Sequence, residues 1–375
     1  MFNFVKKAMA DIAGTEEPLY GPEAIQPVTK QGVQYTELKK DDLKWKGLGG
    51  TNVETQTFYF TADSGHIGMA QIIYSVVMGV KTTCQFSSKI FYPDNATPPL
   101  FSTDPLDNHR ISDDRFNFYA DNVSFELSED GSTYSLKSSR STKSIVDIKI
   151  TKVAPGFMAG RNGTSTYGTD PNQPWGQMFH AFWPRCRVEG SFITPSGPID
   201  FAGKGAYSFA LQGMKPHHAA NRWNFVNFHS PTYSALMMEF TTPPSYGSTV
   251  VNVGGIAADG SILYAGVDNT AEHVEKTEDP EARWPEPTVT SYWWKGTTAD
   301  GKPFEAHLMG QLGKRQDRID VMAEVPGFIK KIAETAAGTR PYIYQYTPRL
   351  KLKLKIGDEE KEEEGILFTE ATFIS

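Results

Sequence analysis

The chain has 375 residues, of which 39% are hydrophobic and 22% charged, with 33 glycines and 24 prolines. This composition excludes a disordered or fibrous chain, and the length is sufficient for two domains of about 150 residues each. The formal net charge of −7 gives no general attraction to phosphates, so no nucleic-acid partner is expected. The two cysteines, Cys84 and Cys186, are too few for a disulfide framework or a zinc site, and they are predicted to be buried free thiols.

Residues 1–14 predict an amphipathic helix that ends at Gly14. At about 1.5 Å per residue this helix would be about 20 Å long, which is too short to span a bilayer. It could lie in the membrane interface, or it could cap one end of a barrel. We prefer the membrane, because a polar linker would let the helix leave the folded body. The predicted membrane-binding residues are Met1, Phe2, Phe4, Val5, Lys6, Lys7, Met9 and Ile12.

After a linker over residues 15–50, residues 51–216 predict a first β-domain. Short apolar runs recur between turn residues at the spacing of an antiparallel meander. The predicted strands cover residues 53–60, 68–80, 83–92, 116–119, 123–127, 134–137, 145–153, 178–188, 191–194 and 199–201. Two long loops, 93–114 and 154–174, interrupt them and are predicted to form rims or lids.

Residues 217–375 repeat this pattern and predict a second β-domain. Its predicted strands cover residues 233–241, 248–253, 262–265, 288–295, 304–309, 319–324 and 342–356. An acidic loop is predicted at 268–287, and a helix that would plug or buttress a sheet at 327–337. In residues 349–356 leucines and an isoleucine alternate with arginine and lysines, which predicts a strand with a basic outer face.

The two halves meet at residues 203–230. A strand at 206–211 is followed by Gly213 and Pro216, which stop it. Four side chains that can carry positive charge then lie close to three aromatic ones in the sequence. The cationic group is Lys215, His217, His218 and Arg222, and the aromatic group is Trp223, Phe225 and Phe228. The group could bind an anion or a lipid head group, or it could form the seam between two domains, which we prefer.

The sequence contains no motif that predicts catalysis. It has no glycine-rich phosphate loop between a strand and a helix and no helix with paired histidines and a glutamate. Residues 163–167 fail the nucleophile elbow at the last position. No catalytic residue, metal ligand or cofactor is therefore predicted. Small antiparallel barrels can enclose one apolar molecule, so the β-domains and the helix together indicate lipid transfer.

Four stretches are distinctive in the order of their residues and not only in their composition. They are Pro-Leu-Tyr-Gly-Pro-Glu-Ala-Ile at 18–25, Val-Glu-Thr-Gln-Thr-Phe-Tyr-Phe at 53–60, His-Ala-Phe-Trp-Pro-Arg at 180–185, and Gln-Gly-Met-Lys-Pro-His-His-Ala-Ala-Asn-Arg-Trp-Asn-Phe at 212–225. With them, nearly the whole chain resembles the fungal oxidative-stress survival factor family. The resemblance implies an all-β fold of two tandem lipocalin-like barrels preceded by the amphipathic helix.

The resemblance further implies a non-enzymatic protein that binds ceramide and moves it from the endoplasmic reticulum to the Golgi, and that supports survival of oxidative stress. It implies a cytoplasmic protein, peripheral on endoplasmic reticulum and cis-Golgi membranes, with a nuclear pool as a further expectation. We select residues at the barrel mouth as ligand-binding candidates. These are Trp183, Arg185, His217, His218 and Trp223.

Two alternatives remain from the sequence. Tandem lipocalin-like folds also resemble fungal pericyclases and bacterial carotenoid hydratases, so the chain could be an enzyme acting on an apolar substrate. A carboxylate–histidine pair deep in one barrel would favour that alternative. A stress-signalling scaffold with an empty barrel is the other alternative.

Overall fold

The structure is a computed structural model that describes residues 17–77, 81–94, 96–321 and 340–375. In these ranges the paired strands are antiparallel and form two sheets, which confirms the predicted all-β fold class. The helices predicted at residues 1–14 and 327–337 lie outside the described residues. No helix within the described ranges is long and apolar enough to cross a bilayer.

The first sheet contains strands from residues 25–212. Its strands are β1 (Ile25–Gln26), β2 (Tyr35–Glu37), β3 (Asn52–Ala62), β4 (Ile67–Val77), β5 (Lys81–Phe91), β6 (Leu100–Pro105), β7 (Arg110–Ile111), β8 (Phe118–Ala120), β9 (Val123–Leu127), β10 (Thr133–Ser138), β11 (Ile145–Lys152), β12 (Phe157–Ala159), β13 (Thr164–Tyr167), β14 (Gly176–Thr194), β15 (Gly197–Asp200) and β16 (Gly203–Gln212). Their main order is β6-β5-β4-β3-β16-β14-β11-β10-β9-β8-β7.

The first sheet is strongly curved, so that strands that are not neighbours in the sheet order meet across its interior. Phe86 on β5 and Phe125 on β9 are one such pair, with ring centroids 6.1 Å apart. The hydroxyls of Ser88 on β5 and Ser144 before β11 lie 2.6 Å apart. We call this curled sheet the first barrel.

The second sheet contains strands from residues 222–373. Its strands are β17 (Arg222–His229), β18 (Ser234–Thr241), β19 (Val250–Ala258), β20 (Ser261–Gly266), β21 (Asn269–Glu278), β22 (Pro285–Thr297), β23 (Pro303–Gln311), β24 (Asp317–Asp320), β25 (Tyr342–Tyr346), β26 (Arg349–Ile356) and β27 (Glu359–Phe373). The main order is β20-β19-β18-β17-β27-β26-β23-β22-β21, and we call this curled sheet the second barrel. Between the barrels lies a single-turn helix, α1 (Pro216–Ala219).

Three segments predicted as loops contain strands. Residues 93–114 include β6 and β7, and residues 154–174 include β12 and β13. The acidic stretch 268–287 includes β21 and the start of β22. These strands are stabilised by pairing with other strands, as when β6 pairs with the preceding β5 and β21 with the following β22. Prolines and charges obscure this pairing in the local pattern.

Residues 17–50, predicted as a linker, are bound to both barrels. This segment contains β1, β2 and three 3₁₀-helices at Pro22–Ala24, Val28–Lys30 and Lys40–Leu43. Ile25 and Val28 are buried, and the backbone N–H groups of Tyr20 and Gly21 donate to the carbonyl of Ser245 at 2.9 and 3.0 Å. Because these apolar and backbone contacts hold the segment, it is part of the folded body from residue 17 onwards.

A seam of apolar side chains joins the two barrels. Residues of β3, β12 and β14 on the outside of the first barrel pack against residues of β17, β18 and β27 on the outside of the second. The stacked rings of Tyr59 and Phe225, 4.8 Å apart, are an example. The buried amine of Lys89 reaches across to Asp317 and Gln345. Burial of such a large apolar area couples the barrels.

The outer face of β26 follows the sequence prediction. Its leucines are buried in the second barrel, and its basic residues alternate with them on the exposed face. Lys351 and Lys355 pair with Glu362 and Glu360 of the adjacent β27 at 3.1 and 3.2 Å. The basic and acidic runs therefore form an exposed ladder of ion pairs, each of which contributes little to stability.

Candidate functional site

The inner face of β3 changes from polar to aromatic along the strand. Because side chains alternate across a strand, Asn52, Glu54 and Gln56 share the inward face with Phe58 and Phe60. All five are completely buried. The strand thus places polar groups at one end of the first barrel's interior and aromatic rings at the other.

The carboxylate of Glu54 is satisfied by the neighbouring chain. Its two oxygens accept the backbone N–H groups of Lys46 at 2.5 Å and Gly47 at 2.8 Å. Burial raises the pKa of Glu54, and these two donors oppose that shift. Glu54 therefore fixes residues 46 and 47 against the barrel.

Five side chains near this row carry buried polar atoms without a hydrogen-bond partner. They are the indole N–H of Trp45, the amide oxygen of Asn52, both amide atoms of Gln56, and the hydroxyls of Tyr134 and Tyr207. We call these five residues the first-barrel polar cluster. Each unmatched group costs about 1–3 kcal/mol, so a concentration of them inside one barrel points to a ligand.

The strand register brings the members of this cluster together. Gln56 lies opposite Phe209 on β16, and the ring of Phe209 is 6.3 Å from that of Trp45. Tyr207 lies two residues before Phe209 on the same face, and its ring is 5.2 Å from that of Tyr134. Burial raises the pKa of both phenols, and each phenol also affects the pKa of the other. Their hydroxyls are not placed to form a hydrogen bond with each other. They are neutral hydroxyls that can still donate and accept.

Aromatic rings continue from the cluster into the barrel. Phe58 lies 5.0 Å from Tyr134 and 4.9 Å from Tyr207, measured between ring centroids. Trp183 lies 5.2 and 5.3 Å from the same two tyrosine rings. The arrangement combines a polar end with an apolar end, as a ligand with a polar head and hydrocarbon chains would require.

The second barrel differs because its buried aromatic side chains have polar partners. The hydroxyls of Tyr264, Tyr292, Tyr344 and Tyr346 bond to Asn269, Thr369, Asp279 and Glu286, and the indole N–H of Trp294 donates to the carbonyl of Leu236. These groups are used within the protein and are not available to a ligand.

A second polar group, inside the second barrel, is largely self-contained. The carboxylate of Glu239 accepts the side-chain amides of Asn224 at 3.0 Å and Asn252 at 2.8 Å, and the backbone N–H of Ala271 at 3.2 Å. Asn224 in turn contacts His273 Nε2 at 2.7 Å, and burial lowers the pKa of His273 to about 4. Asn224 thus separates the carboxylate from the imidazole, and this cluster does not contain the direct carboxylate–histidine pair that would favour an enzyme.

The structure distributes the five predicted ligand-binding residues over several places. Trp183 lines the first barrel beside the polar cluster. Trp223 packs at the seam, 5.3 Å from the ring of Phe240. His217 and His218 lie on α1 with their rings 4.3 Å apart. These residues do not converge on one site.

Arg185 binds the two barrels to each other. Its guanidinium group pairs with Asp259 and donates to the hydroxyl of Ser234 at 3.0 Å. It also donates to the carbonyls of Ser230 at 3.4 Å and Pro231 at 2.7 Å. These acceptors belong to turns and a strand end of the second barrel, whereas Arg185 lies on β14 of the first. Its contacts therefore serve the seam.

A buried histidine at the seam predicts a pH effect. Burial lowers the pKa of His180 to about 4, so the unfolded chain, with a pKa near 6.5, binds the proton first as pH falls. This histidine therefore reduces stability between pH 6.5 and 4. Replacement by His180→Leu is expected to raise the free energy of unfolding relative to wild type by about 2 kcal/mol more at pH 5 than at pH 8. Urea unfolding of both proteins at both pH values measures this. If the free energies of unfolding of the two proteins differ by the same amount at pH 5 and pH 8, the prediction is wrong.

None of the residues of the first-barrel polar cluster is among the ligand-binding residues predicted from the sequence. Residues 53–60 are correctly predicted as a strand, and the polar side chains of this strand lie on the same face as its phenylalanines. Asn52, Glu54 and Gln56 precede Phe58 and Phe60 at every second position. Polar residues at positions that the pattern assigns to the core are the signal that could have identified this site.

Within the ranges that the structure describes, no group of three or more histidine, cysteine, aspartate or glutamate residues is arranged to hold a metal ion. Both cysteines are buried free thiols, as predicted, and burial raises the pKa of Cys84 to about 12.

Solved structures show the same fold at low sequence identity. The chain is similar to CghA, with a TM-score of 0.60 and 11% identity over 87% of this chain and 89% of that one. It is also similar to kievitone hydratase from Nectria haematococca, with a TM-score of 0.55 and 13% identity over 95% of this chain and 98% of that one. These similarities establish the tandem lipocalin-like fold.

Curated relatives match over the whole length. A protein of Neurospora crassa named ceramide-binding protein svf-1 is 55% identical over 380 residues, covering 100% of both chains. The ceramide-binding protein svf1 of Schizosaccharomyces pombe is 44% identical over 378 residues, covering 99% of each. The sequence profile of the Svf1 family matches residues 2–375. The family resemblance seen in the four sequence stretches is thereby confirmed, and the chain belongs to the Svf1 family.

Proposed function

We propose that this protein binds one ceramide molecule in the first barrel. The observation that carries the proposal is the set of unpartnered polar atoms in the first-barrel polar cluster. A ceramide head carries an amide and hydroxyl groups, which can both donate and accept hydrogen bonds. Gln56 offers one donor and one acceptor, Trp45 a donor, Asn52 an acceptor, and the two tyrosines can do either. The names of the curated relatives support the same ligand.

The hydrocarbon chains would lie among the aromatic rings of the cluster and those that adjoin it. These rings touch one another, with centroids 4.9–5.2 Å apart around Phe58, Tyr134 and Tyr207. Entry of the chains must therefore displace rings from their contacts. We expect uptake to be fastest at a membrane surface, where the chains need not cross water.

In this proposal the protein carries ceramide unchanged from the endoplasmic reticulum to the Golgi and so supports sphingolipid synthesis and survival of oxidative stress. It works in the cytoplasm and docks on both membranes through residues 1–14, using Met1, Phe2, Phe4, Val5, Lys6, Lys7, Met9 and Ile12. Partial insertion of these side chains gives weak and reversible binding, as a carrier needs.

The test of the ligand is native mass spectrometry with lipid extraction on full-length protein purified from a eukaryotic cytosol. We expect ceramide in near one-to-one amount, chemically unchanged. The purified protein should also accelerate ceramide transfer between donor and acceptor vesicles. An empty protein that fails to extract ceramide from vesicles would overturn the proposal, and conversion of the lipid to another product would favour the enzyme alternative.

The membrane role of residues 1–14 gives a separate prediction. The double variant Phe2→Asp, Phe4→Asp should bind vesicles at least about tenfold more weakly, because each aromatic side chain loses interfacial burial worth more than 1 kcal/mol. Its melting temperature should be unchanged. Vesicle flotation and thermal unfolding measure the two quantities.

The matched control is Asn3→Asp, which adds a negative charge on the polar side of the same predicted helix. It should retain most of the binding. A large loss of melting temperature in the Phe2→Asp, Phe4→Asp variant, with vesicle binding retained, would instead support a helix that caps a barrel.

A further inference from the structure

Two large apolar side chains are exposed close to Tyr20. Leu19 is 80% exposed and Trp175 is 45% exposed. Tyr20 connects them, because it follows Leu19 in the chain and its ring lies 5.0 Å from that of Trp175. The ring of Tyr246 lies 5.5 Å from Tyr20 on the protein side. We call these four residues the aromatic corner.

The aromatic corner is held by hydrogen bonds. The indole N–H of Trp175 donates to the hydroxyl of Tyr246 at 3.1 Å, and the backbone N–H of Trp175 donates to the carbonyl of Tyr167 at 2.9 Å. The backbone N–H of Tyr20 donates to the carbonyl of Ser245. The polar edge of the tryptophan is thus satisfied inside the protein, while much of the ring faces outwards. These hydrogen bonds hold Trp175 in a position where part of its apolar ring remains exposed.

The acidic groups next to the corner are engaged by the protein. The carboxylate of Glu17 accepts from the hydroxyls of Ser245 at 3.1 Å and Tyr246 at 3.2 Å, and it pairs with His218 at 2.9 Å. The Asp170 carboxylate accepts the backbone N–H of Asn172 at 2.9 Å. The exposed side chains of Leu19 and Trp175 are apolar, so their attraction to a surface would depend on apolar burial.

The chain connects this corner to residues 1–16. Glu17 is bonded to the corner, so the preceding residue begins within one peptide bond of it. The amphipathic sequence of residues 1–14 is the segment that we propose to enter the membrane interface. The described part of the chain therefore begins at the aromatic corner.

We infer that Leu19 and Trp175 form a second membrane contact, which enters the lipid interface beside the N-terminal segment and sets the orientation of the barrels on the membrane. Tryptophan and tyrosine favour this interface because their rings have apolar bodies and polar edges. The inference rests on the proposed membrane role of residues 1–14. A single helix leaves the body free to rotate about its connection, whereas a second contact on the rigid body restricts that rotation.

The test uses full-length protein and vesicles of phosphatidylcholine. The double variant Leu19→Ser, Trp175→Ser is expected to lower the vesicle partition coefficient by about tenfold or more, with little dependence on salt. The control is Ile193→Ser, Met309→Ser, which removes two apolar side chains that are 48% and 47% exposed on strands elsewhere. This control should bind like wild type.

A second measurement reads the depth of Trp175 directly. Vesicles with bromine atoms on the upper acyl chains should quench part of the tryptophan fluorescence of wild type, and Trp175→Phe should lose that part while binding is retained. Equal binding by the corner variant, its control and wild type would overturn the inference. A second pair of results would also overturn the inference: bromine does not quench Trp175, and acrylamide quenches Trp175 more strongly after deletion of residues 1–16. The corner would then bind that segment and not the membrane.

Failure of the second membrane contact can be distinguished from failure of the proposed membrane role of residues 1–14. If Phe2→Asp, Phe4→Asp releases the protein while the corner variant binds normally, only the second contact is refuted. If the Phe2→Asp, Phe4→Asp variant binds like wild type, the membrane role of the N-terminal segment itself is refuted.

Discussion

Gln56→Met is expected to weaken ceramide binding by about 10- to 100-fold without destabilising the protein. Methionine has a similar volume and shape, so the barrel packing is kept. The variant removes two buried polar atoms that have no partner within the protein. The free energy of unfolding should therefore stay level or rise by about 1–2 kcal/mol. Ceramide, in contrast, loses two hydrogen bonds, and each 1.4 kcal/mol lost corresponds to tenfold in affinity.

The measurement combines ceramide extraction from vesicles with urea unfolding of lipid-stripped protein. The control is Thr290→Val, which removes an unpartnered buried hydroxyl from the inner face of the second barrel. It should leave ceramide affinity unchanged. Stronger loss of binding in Thr290→Val than in Gln56→Met would move the ligand to the second barrel and refute the assignment.

Arg185→Ala is expected to reduce the free energy of unfolding by about 3–5 kcal/mol. The guanidinium group is almost completely buried, and its removal leaves the Ser234 hydroxyl and the carbonyls of Ser230 and Pro231 without their donor. Hydrogen bonds from a charged donor contribute about 1.5–3 kcal/mol each, so the loss of several of them together has an effect of this size. Arg185→Lys should recover little of the lost stability, because an ammonium group cannot reproduce the several hydrogen bonds that the planar guanidinium group donates.

Equilibrium urea unfolding followed by tryptophan fluorescence provides the measurement. The matched control is Arg187→Ala, two residues further along β14, where the side chain is 60% exposed and lies 3.8 Å from Glu189. Such an exposed pair should contribute less than about 1 kcal/mol. If Arg185→Ala stays within 1 kcal/mol of wild type, the seam does not depend on this network.

The sequence pattern predicted the fold better where strands are long and locally alternating. Residues 53–60 fall within β3, and residues 145–153 nearly coincide with β11. Residues 178–194 were predicted as two strands but form the single strand β14, whose register shifts between Trp183 and Cys186. Local alternation breaks at such a bulge although the pairing continues. Strands of three or four residues, such as β12, depend on distant partners that a local pattern does not show.

The candidate site was less predictable for a related reason. Trp45, Gln56 and Tyr134 come from separate segments, and only the curvature of the sheet brings them to one interior. The conspicuous sequence motifs instead supplied Arg185 and Trp223, which the structure places at the seam. A motif that is unusual in sequence can therefore serve the contact between domains, while the ligand-facing groups are ordinary residues on alternating strand positions.

The strand order has a consequence for protein synthesis. β3 pairs with β16, so the first barrel can close once residue 212 has left the ribosome, whereas β17 pairs with β27 and the second barrel must wait for residues 359–373. At about 5–20 residues per second, this interval lasts on the order of ten seconds. During that time the apolar outer face of the first barrel, which includes Tyr59 and Phe182, has no second barrel to cover it. The nascent chain should consequently be a chaperone client until its last strand is made.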